Sequence, residues 1–234
     1  TTSEKLRIYN ENLVELWSIS ASNSPGPPPL TSLDWNKSSP QWILTSSVDT
    51  TCTLWDLSSQ KPSAHTRLIA HDAEVLDVKF LTGSTTLFGS CSTDGSLRLF
   101  DLRNLNQSTI AYEPGPMEKL PLLKMGVSTS NPNYISLVQG YSSEVVIIDL
   151  RNVGTPLAVV TSNNTVVSAQ WHPFNNVLMT ATSNGLVSLF DINSSIEVPN
   201  MVCSVAHGIN SGAWNRQGNT CAVTTPHGLR RIFL

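Results

Sequence analysis

Short runs of apolar and hydroxyl residues, separated by polar turns, fill most of the chain, and this pattern is typical of β-strands. Four of the runs end on a large apolar residue that is followed by Asp, and these large residues are Trp55, Phe100, Ile148 and Phe190. The steps between them are 45, 48 and 42 residues. Because one strand with its turn takes only about 10 residues, a step of this length indicates a repeated unit of several strands.

Each repeat also carries an earlier landmark, a strand-like run that ends 19 to 21 residues before the later one. A third run lies between the two landmarks. It ends in a polar turn such as Asp94-Gly95 or Asn184-Gly185, which suits a hairpin because these residues tolerate positive φ. With a weaker fourth run, the pattern predicts four strands, a to d, in each repeat. Such repeats of about 40–45 residues with a Trp-Asp-like dipeptide are typical of the blades of a WD40 β-propeller, an all-β fold.

The repeat pattern assigns residues 1–234 to a single propeller domain. The predicted segments are a partial blade at 1–19, full blades at about 30–69, 75–112, 120–160 and 166–205, and an incomplete last blade at 209–234. Together they contain 21 predicted strands. Because a closed propeller needs whole blades, we expect N-terminal sequence to be missing, either three strands for six blades or seven strands for seven blades.

Composition favours strands over helices and excludes several functions. Only 13% of the residues are charged, the formal net charge is −3, and Ser and Thr together number 53. Since there is no basic cluster, we expect no direct nucleic-acid binding. Since there is no run of about 18 apolar residues, we expect no membrane span. The four cysteines lack zinc spacing, so we expect no metal, no cofactor and no small-molecule substrate.

One repeat contains His71, Ser90 and Asp94, which are the residue types of a serine hydrolase. A propeller blade has a structural use for the same three types, because hydrogen bonds between them link the blade entry, strand b and the b–c turn. We predict this structural network and no catalytic residue. Phe100 stands where a Trp donor would complete the network. The equivalent pair one blade earlier is predicted to be Asp49 and Trp55.

Two sets of turn residues are candidates for partner binding. Arg103 and Arg151 each follow a blade Asp by two residues, in the predicted c–d turns. Each Arg either pairs with its own Asp or docks a partner, for which the planar guanidinium is well suited. The turns at the opposite face carry the second set, which consists of Asp49, Thr50, Asp72, Glu74 and Asp94.

A more specific pattern lies in five segments between residues 30 and 151. They are Leu-Thr-Ser-Leu-Asp-Trp-Asn (30–36), Val-Asp-Thr-Thr-Cys-Thr-Leu-Trp-Asp-Leu (48–57), Thr-Arg-Leu-Ile-Ala-His-Asp-Ala-Glu-Val (66–75), Asp-Gly-Ser-Leu-Arg-Leu-Phe-Asp-Leu-Arg (94–103) and Glu-Val-Val-Ile-Ile-Asp-Leu-Arg (144–151). These segments resemble the WD-repeat adaptors of the plant transparent-testa-glabra and anthocyanin-regulator type, with their animal and fungal relatives. The resemblance thins after about residue 160.

The resemblance implies a seven-bladed propeller, and hence seven missing strands, that acts as a non-catalytic scaffold in the cytoplasm and nucleus. Plant members bridge transcription regulators. Animal members hold protein kinases and associate with cullin-four ubiquitin ligases through the Arg after the Trp-Asp position. This position corresponds to Arg103 and Arg151, although Phe100 and Ile148 stand where the ligase-binding motif prefers Trp. We therefore predict an adaptor that assembles regulatory complexes, with a substrate receptor of a cullin-RING ubiquitin ligase as the alternative.

Two other function classes find less support in the residues. A propeller enzyme needs titratable or metal-binding groups around the central channel, and the inner strands are rich in Val, Leu, Ser, Thr and Ala. A reader of modified peptides needs an aromatic cage or a cluster of Arg side chains. Only Trp17 and Trp42 are free for such a cage, because the other four are assigned to blade cores: Trp35, Trp55, Trp171 and Trp214.

Overall fold

The protein is described by a computed structural model that covers residues 4–20, 26–59, 62–194 and 197–233. The first three residues of the predicted partial blade and the last residue of the predicted final blade lie outside this part of the chain. The described residues form 21 β-strands and no helix. This confirms the predicted all-β class and the predicted number of strands.

The chain divides into two compact units, Thr1–Pro121 and Leu122–Leu234. The first unit contains a two-stranded antiparallel hairpin and two four-stranded antiparallel sheets. The hairpin consists of β1 (Lys5–Tyr9) and β2 (Glu15–Ser20). The sheet called blade 1 consists of β3 (Leu30–Trp35), β4 (Trp42–Ser47), β5 (Thr51–Asp56) and β6 (Ser63–Ile69). Blade 2 consists of β7 (Val75–Phe80), β8 (Leu87–Ser92), β9 (Leu97–Asp101) and β10 (Asn104–Tyr112).

The second unit contains two further four-stranded sheets and a three-stranded sheet, again antiparallel and in chain order. Blade 3 consists of β11 (Leu122–Val127), β12 (Tyr134–Gln139), β13 (Glu144–Asp149) and β14 (Pro156–Thr161). Blade 4 consists of β15 (Val166–Trp171), β16 (Val177–Thr182), β17 (Leu186–Asp191) and β18 (Met201–Ser204). The last sheet consists of β19 (Ser211–Trp214), β20 (Thr220–Thr225) and β21 (Gly228–Phe233). The assignment of all these sheets to one domain stays a prediction.

The first strand of each four-stranded sheet is irregular at the same place. The pairing register shifts between Leu30 and Ser32, and the equivalent shift recurs near the start of β7, β11 and β15. A shift of this kind leaves one extra residue on the strand, which increases the local twist. The repeat seen in the sequence is therefore a repeat of backbone irregularity as well as of strand positions.

Hydrophobic clusters fill the space between neighbouring sheets of the same unit. In the first unit, Leu54 and Cys52 of blade 1 pack with Val78 and Phe88 of blade 2. In the second unit, equivalent clusters join blade 3 to blade 4 and blade 4 to the last sheet. The second strand of each four-stranded sheet is buried on both faces, which explains why these strands contain almost continuous apolar and hydroxyl residues.

The assignment of four tryptophans to blade cores is right for Trp55 and Trp171, right in part for Trp214, which is half-buried, and wrong for Trp35. Trp55 and Trp171 are buried, but Trp35 is 47% exposed. Its indole Nε1 donates a hydrogen bond to the carbonyl oxygen of Pro40 at 2.7 Å. The Trp35 side chain therefore contacts the β3–β4 loop, whereas Trp171, at the same place in blade 4, is buried and donates to the carbonyl oxygen of Gly126 in blade 3.

Candidate functional site

His71, Ser90 and Asp94 meet at the loop end of blade 2. His71 follows β6, Ser90 lies on the buried strand β8, and Asp94 lies in the turn between β8 and β9. The imidazole Nδ1 is 2.9 Å from Asp94 Oδ2, and Nε2 is 2.8 Å from Ser90 Oγ. Since an ionised carboxylate only accepts hydrogen bonds, Nδ1 carries a proton and donates to Asp94. Nε2 is bonded to Ser90, whose carbonyl oxygen lies 3.2 Å from the same nitrogen.

This connectivity is that of a hydrolytic Ser-His-Asp relay, but its position excludes a substrate. His71 is 1% exposed and Ser90 is 0% exposed, so a scissile carbonyl has no path to the Ser90 hydroxyl. A nucleophile must reach the position of the reacting atom. The trio therefore connects the loop after blade 1 to the interior of blade 2. Burial, rather than the identity of the residues, separates this structural role from catalysis.

The Asp94 carboxylate is the charged end of the trio. Burial alone would raise its pKa, but hydrogen bonds from His71 and Ser96 outweigh this effect and hold the pKa well below its ordinary value. The Ser96 hydroxyl donates to Asp94 Oδ1 at 2.7 Å. Asp94 therefore stays ionised at neutral pH, and it is largely enclosed by its donors.

In blade 1 the corresponding buried hydrogen bond is formed by different residues. Trp55 is fully buried, and its Nε1 donates to Thr45 Oγ1 at 2.9 Å. The prediction that Asp49 pairs with Trp55 is wrong, because Asp49 forms an ion pair with Arg67 and accepts a hydrogen bond from Thr51. Asp49 lies in a surface turn, out of reach of an indole on the buried face of β5. Trp55 thus belongs to a separate network from the His71 trio.

The remaining loop-end candidates lie close to these two networks. Asp72 is exposed and accepts a hydrogen bond from Arg98 Nη2 at 2.6 Å. Glu74 accepts one from the Thr93 hydroxyl at 2.6 Å. Thr50 has a positive φ of 70°, and its carbonyl oxygen accepts hydrogen bonds from the next blade's entry loop. The candidate loop residues of the first unit therefore form one charged surface at one end of blades 1 and 2.

Arg67 and Arg98 are residues of this surface that the sequence analysis missed. Arg67 pairs with Asp49, and Arg98 links Asp72 to the carbonyl oxygen of Ala70. A signal for them does exist in the sequence, because each is a charged residue inside a strand of apolar and hydroxyl residues. Asp49 and Asp72 are thus each partly neutralised by an Arg from a neighbouring strand.

Arg103 and Arg151 adopt the local pairing that the sequence left open. Each guanidinium binds the carboxylate two residues earlier through Nε and Nη2, Arg103 with Asp101 and Arg151 with Asp149. The hydrogen bond and charge of Arg103 lower the pKa of Asp101 to about 2. Both Arg side chains are nevertheless exposed, at 75% and 62%. They lie in different units, so each is a separate candidate contact.

Comparison with known proteins identifies the repeat. Residues 16–56 and 62–101 match the WD40 family, described as WD domain, G-beta repeat. A DDB1- and CUL4-associated factor 7 homolog of Dictyostelium discoideum is 36% identical over 225 residues, which make up 92% of this chain and 68% of that protein. This chain belongs to the WD40-repeat family. The four-stranded antiparallel sheets described above therefore have the architecture of WD40 β-propeller blades, as the sequence predicted.

Two fungal WD40 proteins are also similar. A WD repeat-containing protein of Saccharomyces cerevisiae is 42% identical over 185 residues, and an uncharacterized WD repeat-containing protein of Schizosaccharomyces pombe is 40% identical over 184 residues. These matches cover 72% of this chain but only 35% and 42% of the two relatives. The chain thus spans less than half the length of either fungal protein.

The described residues are expected to contain neither a metal site nor a membrane span. No group of three or more His, Cys, Asp or Glu side chains in this part of the chain is arranged to hold a metal ion. No helix with the length and apolar character of a membrane span occurs there either. Trp42, a candidate for an aromatic cage, packs edge-on against His65 with ring centroids 5.0 Å apart.

Proposed function

We propose that this WD40 protein is a non-catalytic adaptor for protein–protein interaction. The observation that carries the proposal is the contrast between the interior and the loop ends of the blades. The Ser90 and His71 side chains, which with Asp94 have the order of a hydrolytic relay, are buried and closed to a substrate. The charged side chains that remain accessible, such as Asp72 and Glu74, lie at surface turns, where a partner protein can reach them.

The partners we propose are transcription regulators and protein kinases, held together in regulatory complexes in the cytoplasm and nucleus. This proposal rests on the resemblance of residues 30–151 to the plant transparent-testa-glabra and anthocyanin-regulator adaptors. The charged turns of the first unit, which lie within that range, are the surface we assign to partner binding. Asp49, Thr50, Asp72, Glu74 and Asp94 belong to it.

Affinity purification of the full-length protein followed by mass spectrometry tests the adaptor role. The variant combines Asp72→Lys with Glu74→Lys, and the matched control is Glu11→Lys in the exposed β1–β2 turn. We expect wild type and the control to recover the same partners, and the double variant to lose at least one of them. Recovery of an identical set by all three proteins would count against this surface, and recovery of no partner by wild type would count against the adaptor role itself.

A second function, substrate receptor of a cullin-RING ubiquitin ligase, is favoured by a separate observation. The name of the Dictyostelium relative states an association with DDB1 and CUL4, and Arg103 and Arg151 present exposed guanidiniums at the turn position that the ligase-binding motif uses. Purified DDB1 is the probe. We expect Arg103→Ala with Arg151→Ala to weaken DDB1 binding at least about tenfold, and the exposed Arg230→Ala to leave it unchanged. Equal binding by both variants would reject this function.

A further inference from the structure

The loops at one end of the second unit form a continuous surface, which we call the neutral loop face. Backbone hydrogen bonds connect its segments: Ser162 N donates to Ser143 O at 2.8 Å, and Ser183 N donates to Thr165 O at 2.9 Å. At one side of the face the rings of His207 and His227 pack together, with centroids 4.1 Å apart. The segments of the face are residues 140–143, 162–165, 183–185, 205–210 and 226–227.

The backbone of this face is fixed by close contacts between its loops. A side chain at Gly185 would collide with the carbonyl oxygens of Val205 and His207, and one at Gly208 would collide with the carbonyl oxygen of Ser183. Gly185 also has a φ of 92°, which disfavours any other residue. The neutral loop face is therefore organised before any partner binds, which reduces the entropy lost on binding.

The chemistry of the neutral loop face differs from that of the loops in the first unit. Its five segments contain no Asp, Glu, Lys or Arg, and their exposed polar side chains are those of Ser, Asn, His and Tyr. Tyr with Ser, Gly and Asn is also the composition of antibody paratopes, where rigid aromatic anchors and adaptable hydrogen-bonding groups bind proteins without needing charge.

Tyr141 is the exceptional residue of this face. It is 95% exposed and has a φ of 59°, a left-handed conformation that is unfavourable for a bulky residue. Gly95 and Gly185, in the corresponding turns of blades 2 and 4, also have positive φ but carry no side chain to expose. A glycine would therefore suit the fold better at position 141, and within the described structure nothing packs on the Tyr141 ring to offset its strain.

We propose that Tyr141 is the anchor of a binding surface for an uncharged polypeptide segment of a partner protein. The segment covers the Tyr141 ring and exchanges hydrogen bonds with Ser and Asn side chains of the neutral loop face. A highly charged segment is disfavoured, because its ionic groups would lose water without gaining an opposite charge. This inference rests on the proposed adaptor function and assigns one of its contacts to the second unit.

The first part of the test separates binding from folding. Tyr141→Gly removes the aromatic ring and also relieves the left-handed strain, so its Tm should equal that of wild type or exceed it by ~2–4 °C. Leu13→Gly is the matched control, because Leu13 is 82% exposed and has the same φ of 59° in the other unit. A lower Tm for Tyr141→Gly would show that the ring supports the fold, and would overturn the inference.

The second part uses a phage library of random dodecapeptides, selected on the wild-type chain. We expect enriched peptides that lack charged residues and that bind equally at about 50 mM and about 500 mM salt. Their affinity should fall at least about tenfold for Tyr141→Gly and stay unchanged for Leu13→Gly. Failure to enrich such peptides, or undiminished binding to Tyr141→Gly, would overturn the inference. The adaptor function would then still be decided by the affinity purification described above, which does not depend on Tyr141.

Discussion

Blades 2 and 3 share one backbone pattern but stabilise it in opposite ways. Ser90 of blade 2 and Leu137 of blade 3 occupy the same place on the second strand, since each lies three residues after the residue that pairs with the blade Asp. Both are 0% exposed. Ser90 belongs to a hydrogen-bonded network that reaches a charged carboxylate, whereas Leu137 is a hydrocarbon side chain that pairs across the sheet with Met125 and Val146. The repeat therefore preserves strand geometry, and the chemistry inside each blade varies.

The two blades differ in the hydrogen-bond partners that their buried groups require. The polar blade needs all its partners, because a buried donor or acceptor without a partner is unfavourable. The apolar place in blade 3 needs none. Each of the two blades also has one buried polar atom without a hydrogen-bond partner among the described residues, Arg98 Nε in blade 2 and Ser136 Oγ in blade 3. Directional hydrogen bonds connect blade 2 to the preceding loop, while blade 3 relies on close packing.

Replacing His71 with Ala should cause the largest loss of stability among the variants that test this comparison. The change removes the group that joins Ser90 to Asp94 and leaves a carboxylate and a hydroxyl without their partner, so we expect a loss of about 3 kcal/mol in the free energy of unfolding. Urea denaturation measures it. The exposed His207→Ala is the control and should change stability by less than about 0.5 kcal/mol. Equal values for the two variants would refute the role of the trio.

Replacing Leu137 of blade 3 with Thr should show that a buried hydroxyl stabilises a blade only when it has hydrogen-bond partners. Thr45 and Thr180 stand at the place of Leu137 in blades 1 and 4. We nevertheless expect the free energy of unfolding of Leu137→Thr to be about 2 kcal/mol lower than that of wild type, because the buried hydroxyl finds no partner. Leu137→Val, which has the same shape as the Thr variant, is the control and should be more stable than Leu137→Thr by about 1 kcal/mol. If the Thr and Val variants unfold at the same urea concentration, this explanation is wrong.

Acid should destabilise blade 2 by protonating Asp94. Because its pKa is lower in the folded state than in the unfolded chain, ionised Asp94 contributes stability above about pH 4. This contribution is lost as the pH falls from about 4 through the folded-state pKa. Asp94→Asn should therefore show a weaker decrease in stability over this range than wild type does. Leu137→Val should be less stable at every pH, with the wild-type pH dependence, and an unchanged slope in Asp94→Asn would contradict the assignment.

The smallest expected effect concerns the unpaired hydroxyl of Ser136. Because it has no partner to lose, Ser136→Ala should leave stability unchanged or raise it by up to about 1 kcal/mol. The equally buried Ser90→Ala should lower stability by about 1.5 kcal/mol, since His71 Nε2 then loses its side-chain partner. Opposite signs for these two identical substitutions would sharpen the contrast between the blades. Equal losses would show that Ser136 has a stabilising contact after all.

The sequence by itself determined the strands, because strand positions depend on local patterns. The repeated strand-like runs indicated the strands of blades 1 to 4, and the Asp94-Gly95 turn was evident from its residue types alone. The link between His71, Ser90 and Asp94 was also foreseeable, since the repeat puts them at the loop end of one blade.

Only the tertiary structure decided how these side chains are used. Burial of Ser90 and His71, which separates a structural trio from a catalytic one, depends on packing between sheets. The partner of Asp49 depends on the register that brings Arg67 beside it across two strands. The strained, exposed Tyr141 likewise has no signature in the sequence. Strand formation follows from neighbours along the chain, but burial, ion pairing and backbone strain arise from residues that are distant in sequence and close in space.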